Sequence, residues 1–286
     1  MDRILLGDNQ FFGVNHMSEE KARAQALKFK DVDSIIRVLD AAYETGIRTF
    51  MCTTHDKVAE ICEHMRRNPD KYKDFQFYPC MPYAHKYADS VTELGMLGAL
   101  QDFIKGSNIF TLIARGGLAA ARFDAVEIAK ILIDAEMRMF KGLKTPVIFL
   151  QNVIVDLLLG IGYTGIFKEF EKYVNSKYNA EAGYITMNLP VLLPVLEKAG
   201  VKNPIICSNI NKIGFRMCGG MKEYERLIHE QRFRAVAMSI FASGAIPPKE
   251  AIEYVCGLDG VQSIVFGASS RGNIQSSKQL IESFWK

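Results

Sequence analysis

Histidine and cysteine side chains lie close together in the first third of the sequence. The chain has five histidines and six cysteines, and His16, His55 and His85 occur near Cys52 and Cys80. Imidazole nitrogen and thiolate sulfur are ligands that zinc and iron accept. If these side chains converge, they predict a Zn²⁺ or Fe²⁺ site. The alternative is that the histidines are ordinary polar loop residues and the two cysteines are small apolar residues at strand ends.

A second candidate site lies near the end of the chain. Residues 267–273 read Gly-Ala-Ser-Ser-Arg-Gly-Asn between a strand pattern and a helix pattern. The free backbone N–H groups at a helix N-terminus favour an anion, and Arg271 adds positive charge. Ser243 and Gly244, in the preceding loop, would let a phosphate approach closely. The segment therefore predicts phosphate or nucleotide binding, and the alternative is a plain glycine-serine turn with a helix cap.

Short apolar runs rich in Val, Ile, Phe and Met supply the strands that would position these groups. Most lack the alternation of a strand with one wet face, which is typical of parallel strands covered on both faces. The predicted strands are residues 4–7, 48–53, 75–81, 147–151, 184–188, 204–208, 235–241 and 263–267.

Amphipathic helix patterns alternate with these runs. The predicted helices are residues 32–44, 56–67, 90–104, 165–177, 191–199, 222–231, 248–258 and 273–284. Eight such repeats predict a (β/α)₈ barrel of the α/β class, in one domain covering residues 1–286. The long stretch after the third strand predicts extra inserted helices, including residues 124–139. An open doubly wound sheet is the alternative, but no strand is followed by GxGxxG.

In a barrel of this kind the active site forms where the strands end at their carboxyl side. The histidines of the first three loops and the 267–273 segment all fall there. Other polar side chains also follow strands, namely Asp8, Tyr83, Gln151 and Asp156.

Composition excludes several classes of protein. The chain has 286 residues, of which 49% are hydrophobic and 23% charged, so it should fold as an ordinary globular protein. The net charge of +3 and the lack of a basic run argue against nucleic-acid binding. No apolar stretch reaches the roughly 18 residues of a membrane span. The strand-like start indicates no signal peptide, and the absence of CxxC pairs favours reduced thiols, so we expect a cytoplasmic protein. The sequence does not indicate an oligomeric state.

Two parts of the sequence resemble the aldo-keto reductases. The opening, with Gly7, Phe12-Gly13 and the run from Ala42 to Phe50, resembles the start of that family's barrel. The run from Ser239 to Gly244 and the segment 261–271 resemble its end. The resemblance covers most of the chain outside residues 84–144 and implies an oxidoreductase that uses NADP(H) on a small carbonyl or alcohol.

The resemblance also implies cofactor-binding positions. Asn188 matches the family's fifth-strand Asn, which holds the nicotinamide carboxamide, while Met187 replaces the neighbouring Ser. Ser208 or Asn209 lies near the family's sixth-strand Gln. Ser243, Ser269, Ser270 and Arg271 complete the predicted cofactor set, with the last three on the phosphate.

The family's catalytic Asp, Tyr, Lys and His do not appear at the matching places, which predicts non-standard catalytic residues. Cys52, with its neighbours, stands where the Asp would be. We predict His55 as the proton donor, because an imidazole titrates near about pH 6.5 and this one lies on the loop that carries the family's Tyr. Asp56 would orient His55, and Cys52 belongs to the same candidate set. Two alternatives stay open: a metal-dependent lyase, isomerase or hydrolase, and a non-catalytic barrel used for binding or regulation.

Overall fold

The computed structural model describes residues 1–15, 17–83 and 125–285. Within these ranges eight parallel strands close into a barrel in sequence order, with the first strand paired to the last. The predicted (β/α)₈ barrel is confirmed. The strands are β1 (Ile4–Gly7), β2 (Thr49–Thr53), β3 (Gln76–Met81), β4 (Val147–Leu150), β5 (Glu181–Thr186), β6 (Ile205–Asn209), β7 (Arg234–Met238) and β8 (Val261–Phe266).

Ten α-helices of the described ranges surround the barrel. They are α1 (Glu19–Lys28), α2 (Val32–Glu44), α3 (Asp56–Arg67), α4 (Ala125–Met137), α5 (Asn152–Gly160), α6 (Ile166–Tyr178), α7 (Leu189–Lys198), α8 (Met221–His229), α9 (Pro248–Cys256) and α10 (Arg271–Phe284). Helix α4 is the described part of the insertion predicted after the third strand. The helix predicted at residues 90–104 lies outside the described residues. None of the described helices has the length and apolar character needed to cross a membrane.

The largest differences from the sequence prediction concern β5, α1 and α5, and β7 also ends at Met238 rather than at residue 241. Strand β5 begins at Glu181 rather than residue 184, because Glu181 and Gly183 hide its start from a pattern of apolar residues. Helix α1 was not predicted, since none of its residues is buried and it shows no apolar stripe. Helix α5 was not predicted either, because its run of Val, Ile and Leu continues the apolar pattern of β4.

Large side chains fill the barrel interior. Leu5, Tyr78, Phe149 and Val236 belong to one buried cluster inside the strands. Phe149 fits because β5 has a glycine beside it: a Cβ on Gly183 would lie 2.4 Å from two atoms of the Phe149 ring. The interior is thus a packed core, and ligands must bind at one of its ends.

The amino-terminal end of the barrel is closed by polar contacts. The Thr49 hydroxyl and the Gln76 amide both donate hydrogen bonds to Asp2 Oδ2, at 2.5 and 2.9 Å. At the outside of the strands, Ile35 and Leu39 of α2 are fully buried against the sheet. The carboxyl ends of the strands are therefore where the loops can form a site.

Candidate active site

Asp8 directly follows β1, and its carboxylate contacts the end of β2. The backbone N–H and the hydroxyl of Thr53 both donate hydrogen bonds to Asp8 Oδ2, each at 2.7 Å. Only 7% of Asp8 is exposed. Burial raises the pKa of the Asp8 carboxyl, and the two hydrogen bonds from Thr53 offset part of that rise. A carboxyl group with this surrounding keeps its proton to higher pH than an exposed one.

Cys80 and Tyr83 lie next to Asp8. Cys80 points into the barrel, where it is buried with Tyr78 and Phe149. Burial, and then the charge of Asp8, raise the pKa of the Cys80 thiol well above its ordinary value. The same two causes raise the pKa of the Tyr83 phenol. At neutral pH both groups therefore stay protonated.

His55 lies at the same end of the barrel, as the residue that caps α3. Its Nδ1 accepts a hydrogen bond from the backbone N–H of Lys57 at 3.1 Å. The ring stacks on Phe12 at 4.2 Å between centroids and lies 6.2 Å from the ring of Tyr83. Because Nδ1 accepts, the neutral ring carries its proton on Nε2. Protonation of Nδ1 would remove the hydrogen bond that caps the helix.

Glu136 of α4 joins the loops that carry His55 and Tyr83. It is 1% exposed. The Thr54 hydroxyl donates to Glu136 Oε2 at 2.6 Å, and the backbone N–H of Tyr83 donates to both carboxylate oxygens at 3.1 and 3.2 Å. A single buried carboxylate therefore fixes the ends of β2 and β3 relative to each other.

Cys52 and Asp56 are the other predicted catalytic residues. Cys52 faces outward from β2 into the apolar layer that also holds Val58 and Cys62. Burial raises the pKa of the Cys52 thiol well above its ordinary value. Asp56 is exposed in the first turn of α3, and His55 Nδ1 accepts from the backbone N–H of Lys57.

The residues predicted to bind the carboxamide, at the ends of β5 and β6, differ in exposure and in the direction of their side chains. Asn188 is half-buried at the start of α7, and its N–H donates to the hydroxyl of Thr186 at 2.8 Å. Asn209 lies two residues after the inward-facing Cys207, so it also faces the barrel interior. There its Nδ2 donates to the Arg216 carbonyl at 3.0 Å. Ser208 is fully buried on the opposite face of β6, away from the mouth.

The loop after β7 has an unusual backbone. Ala242, Ser243 and Gly244 all have positive φ angles, of 45°, 58° and 92°. Such angles are uncommon for residues other than glycine, and they concentrate at functional sites. Ser243, which was predicted to bind the cofactor, therefore lies on a strained turn at the barrel mouth.

The predicted phosphate-binding residues line a cleft of about 450 Å³ between α10 and α2. Ser270 caps α10 by accepting a hydrogen bond from the N–H of Asn273 at 3.3 Å. Arg271 forms an ion pair with Glu44. Two basic residues that were not predicted also line the cleft: Lys28, which donates to the Ser269 carbonyl at 2.7 Å, and Arg37.

The metal site predicted from the sequence is only partly described. His16 and His85 lie outside the described residues. Among the residues that are described, no group of three or more His, Cys, Asp or Glu side chains is arranged to hold a metal ion. The ligand set of His16, His55, Cys80 and His85 stays a prediction.

Three residues of this site had no predicted role. Asp8 and Tyr83 were recognised only as polar residues that follow strands. Glu136 gave no signal, because it lies inside a helix and meets Thr54 and Tyr83 only in the folded chain. In the structure, Asp8, His55 and Tyr83 lie together at the ends of β1, β2 and β3.

Comparison with solved structures identifies the fold as one that aldo-keto reductases have. A Pseudomonas aeruginosa protein assigned to the aldo-keto reductases matches with a TM-score of 0.64 at 10% identity, covering 100% of this chain and 91% of that one. The aldose reductase of Schistosoma japonicum matches with a TM-score of 0.56 at 10% identity, covering 100% and 85%. The aldose reductase of Giardia lamblia gives 0.54 at 10% identity, covering 98% and 87%.

The sequence matches no family model and no curated protein. The likeness to aldo-keto reductases is therefore one of fold, and in that respect the resemblance expected from the sequence is confirmed.

Proposed function

We propose that this barrel is a nicotinamide-dependent oxidoreductase that reduces a small carbonyl compound or oxidises the corresponding alcohol. The observation that carries the proposal is the arrangement of Asp8, His55 and Tyr83 at the mouth of a barrel with the full-length fold of aldo-keto reductases. These groups offer proton donors at the place where such barrels carry out their chemistry.

The proposed cofactor is NADP(H), bound over the ends of β5 to β8. Asn188 and Asn209 would hold the carboxamide, and the turn at Ser243 would pass close to the phosphates. The phosphate on the ribose of NADP(H) would lie in the cleft of Ser269, Ser270 and Arg271. Lys28, Arg37 and Arg271 bring positive charge to the N-terminus of α10, which supports an anion there. Asp40 and Glu44 also line the cleft, and a phosphate would replace Glu44 as the partner of Arg271. Ser208 does not fit, since its side chain is buried behind β6.

The reduced cofactor would supply the hydride, and the protein's own groups would act on the carbonyl oxygen. His55 is suited to donate a hydrogen bond through Nε2–H, because Nδ1 is engaged with Lys57. A neutral imidazole in this state polarises a carbonyl group. The same proposal assigns the protein to the cytoplasm, where its six free cysteines would stay reduced.

A titration with reduced nicotinamides tests the proposal. Binding is followed by cofactor fluorescence for NADPH and NADH, with the wild type, Arg271→Ala and the control Arg23→Ala. Arg23 is an exposed residue of α1 that pairs only with Glu19 among the described residues. We expect Arg271→Ala to weaken NADPH about tenfold or more, and NADH much less, because a charge-assisted hydrogen bond contributes about 1.5–3 kcal/mol. Arg23→Ala should bind both like the wild type.

Each other outcome has a defined meaning. Equal losses for both nucleotides would remove Arg271 from the phosphate site. If neither nucleotide binds, and the protein binds another small molecule without turning it over, the non-catalytic barrel would be favoured. A stoichiometric transition metal in untagged protein, lost in His55→Ala, would favour the metal-dependent enzyme. With nicotinamide bound, His55→Ala should lower kcat by about 10²–10⁴-fold and leave the cofactor Kd nearly unchanged.

A further inference from the structure

The two oxygens of the Asp8 carboxyl have different surroundings. Oδ2 accepts both hydrogen bonds from Thr53. Apart from the N–H of Asp8 itself, no further described group donates a hydrogen bond to this carboxyl. Asp8 as a whole is 7% exposed, so its carboxyl is nearly buried where β1 ends.

The groups on which the charge of Asp8 acts are Cys52, whose side chain points to the outer face of β2, Cys80 from β3 and Tyr83 from the loop after β3. None of the three carries a positive charge. Within the described ranges no lysine or arginine forms an ion pair with Asp8. Burial without a cation raises the pKa of this carboxyl. When Asp8 is protonated, the proton belongs on Oδ1, because the lone pairs of Oδ2 are occupied by the two donors of Thr53.

The neighbouring groups are weaker candidates for releasing a proton. Burial raises the pKa of Tyr83 and, further, that of Cys80, so both hold their protons firmly. His55 caps α3 through Nδ1, and an imidazolium would lose that hydrogen bond. A protonated carboxyl is the strongest acid among these groups.

We propose that Asp8 is the catalytic proton donor of the reductase, releasing the proton of Oδ1 to the carbonyl oxygen of the substrate. This inference rests on the proposed function. The carbonyl carbon gains a hydride from the reduced nicotinamide, and the π electrons of the C=O bond move to the oxygen. The oxygen takes the Asp8 proton while His55 Nε2–H donates a hydrogen bond to it. The products are an alcohol, the oxidised nicotinamide and the Asp8 carboxylate, which regains its proton from water.

Thr53 is a positioning residue in this scheme. Its two hydrogen bonds hold Oδ2, which leaves Oδ1 as the oxygen to carry the proton, and they stabilise the carboxylate that remains after proton transfer. Loss of the hydroxyl would leave the carboxylate less stabilised, so Asp8 would keep its proton to higher pH.

The test compares Asp8→Asn with the wild type and with Asp134→Asn. Asn keeps an oxygen for both Thr53 donors and has no proton to give. Asp134 is a part-buried carboxylate that accepts from Tyr173 and Tyr178, at 2.5 and 2.6 Å, within the helix layer. We expect Asp8→Asn to lower kcat by about 10²-fold or more, with the NADPH Kd unchanged within about twofold. Asp134→Asn should keep kcat within about twofold. Thermal unfolding checks that each variant is folded.

A second measurement does not depend on turnover. Infrared difference spectra between acid and alkaline pH should show a protonated carboxyl band that persists above the range of exposed carboxyls and is missing in Asp8→Asn. In Thr53→Val, both this titration and the alkaline limb of the kcat profile should move to higher pH, whereas Thr53→Ser should restore wild-type behaviour.

The outcomes separate the two proposals. NADPH binding and turnover that survive in Asp8→Asn at more than about a third of the wild-type kcat would overturn the assignment of Asp8 alone. An Asp8 that ionises like an exposed aspartate would do the same. Absence of nicotinamide binding in the wild type would overturn the proposed function, and the role of Asp8 with it.

Discussion

The contact of Glu136 with the loops after β2 and β3 gives a prediction that depends on no functional assignment. In Glu136→Ala the Thr54 hydroxyl and the Tyr83 N–H lose their acceptor in a place where Glu136 itself is 1% exposed. Each buried donor left without an acceptor costs about 1–3 kcal/mol, so the two together should cost about 2–6 kcal/mol of unfolding free energy.

A double-mutant cycle isolates the contact between Glu136 and Thr54. Thr54→Val removes one of the described donors, so in the double variant the hydroxyl of residue 54 no longer lacks an acceptor. The double variant should therefore be more stable than the sum of the single losses indicates, by about 1–2 kcal/mol. Urea denaturation followed by circular dichroism measures the three values. The exposed control Glu223→Ala, which removes a surface pair with Arg226, should cost much less than Glu136→Ala, because exposed ion pairs add little to stability.

The reasoning is refuted if Glu136→Ala costs no more than Glu223→Ala, or if the Thr54 and Glu136 changes are additive. Either result would mean that water or another group satisfies these donors. A loss of the expected size, with the protein still folded, should also lower the order of the Tyr83 ring, which NMR relaxation of that side chain would report.

Three further predictions concern packing, titration and thiol exposure. Gly183→Ala should cost about 1–3 kcal/mol by overpacking against Phe149, whereas Gly160→Ala, with nothing within 4 Å of the added Cβ, should not destabilise; urea denaturation measures both. Because burial raises the Asp8 pKa above its ordinary value of 3.8, ionised Asp8 destabilises the fold, and wild-type stability from this group is lost as pH rises through the folded pKa. Asp8→Asn should therefore gain stability relative to the wild type as pH rises from about 4 to 8, and equal thermal shifts at both ends would contradict this. Cys218, the exposed cysteine, should react first with a thiol reagent in the native protein, and labelling of the buried Cys62 at the same rate would contradict the described packing.

The barrel could be predicted because its strands are covered on both faces. Such strands are short apolar runs, and their alternation with amphipathic helices leaves few possible topologies. Helices α2 and α3 were predicted with their observed ends, because each has a clear apolar stripe and α2 has an Asp31 cap. Helix α1 has no buried residue and gave no periodic signal.

The sequence predicted where the site lies, at the carboxyl ends of the strands, but not which side chains contact one another there. Residues that follow strands were recognised, and Asp8 and Tyr83 are among them. The sequence could not show that Thr53 occupies one oxygen of Asp8, since that contact joins residues 45 positions apart. Glu136 lies 82 positions from Thr54, and nothing in a helix pattern marks a carboxylate as buried. Cys52 was grouped with the site because it lies near the end of β2, but strand alternation turns its side chain to the outer face.

The burial of Asp8 connects stability with the proposed chemistry. A buried carboxyl without a cation weakens the fold at neutral pH, and an asparagine of the same shape would remove that cost. The two Thr53 hydrogen bonds reduce the cost without removing it, because they reach only Oδ2. In Asp156, by contrast, one oxygen accepts from the Thr186 hydroxyl and the other from the Met187 N–H. In Asp8 the Thr53 donors both reach one oxygen, which is the arrangement that the proposed proton transfer from the other oxygen would need.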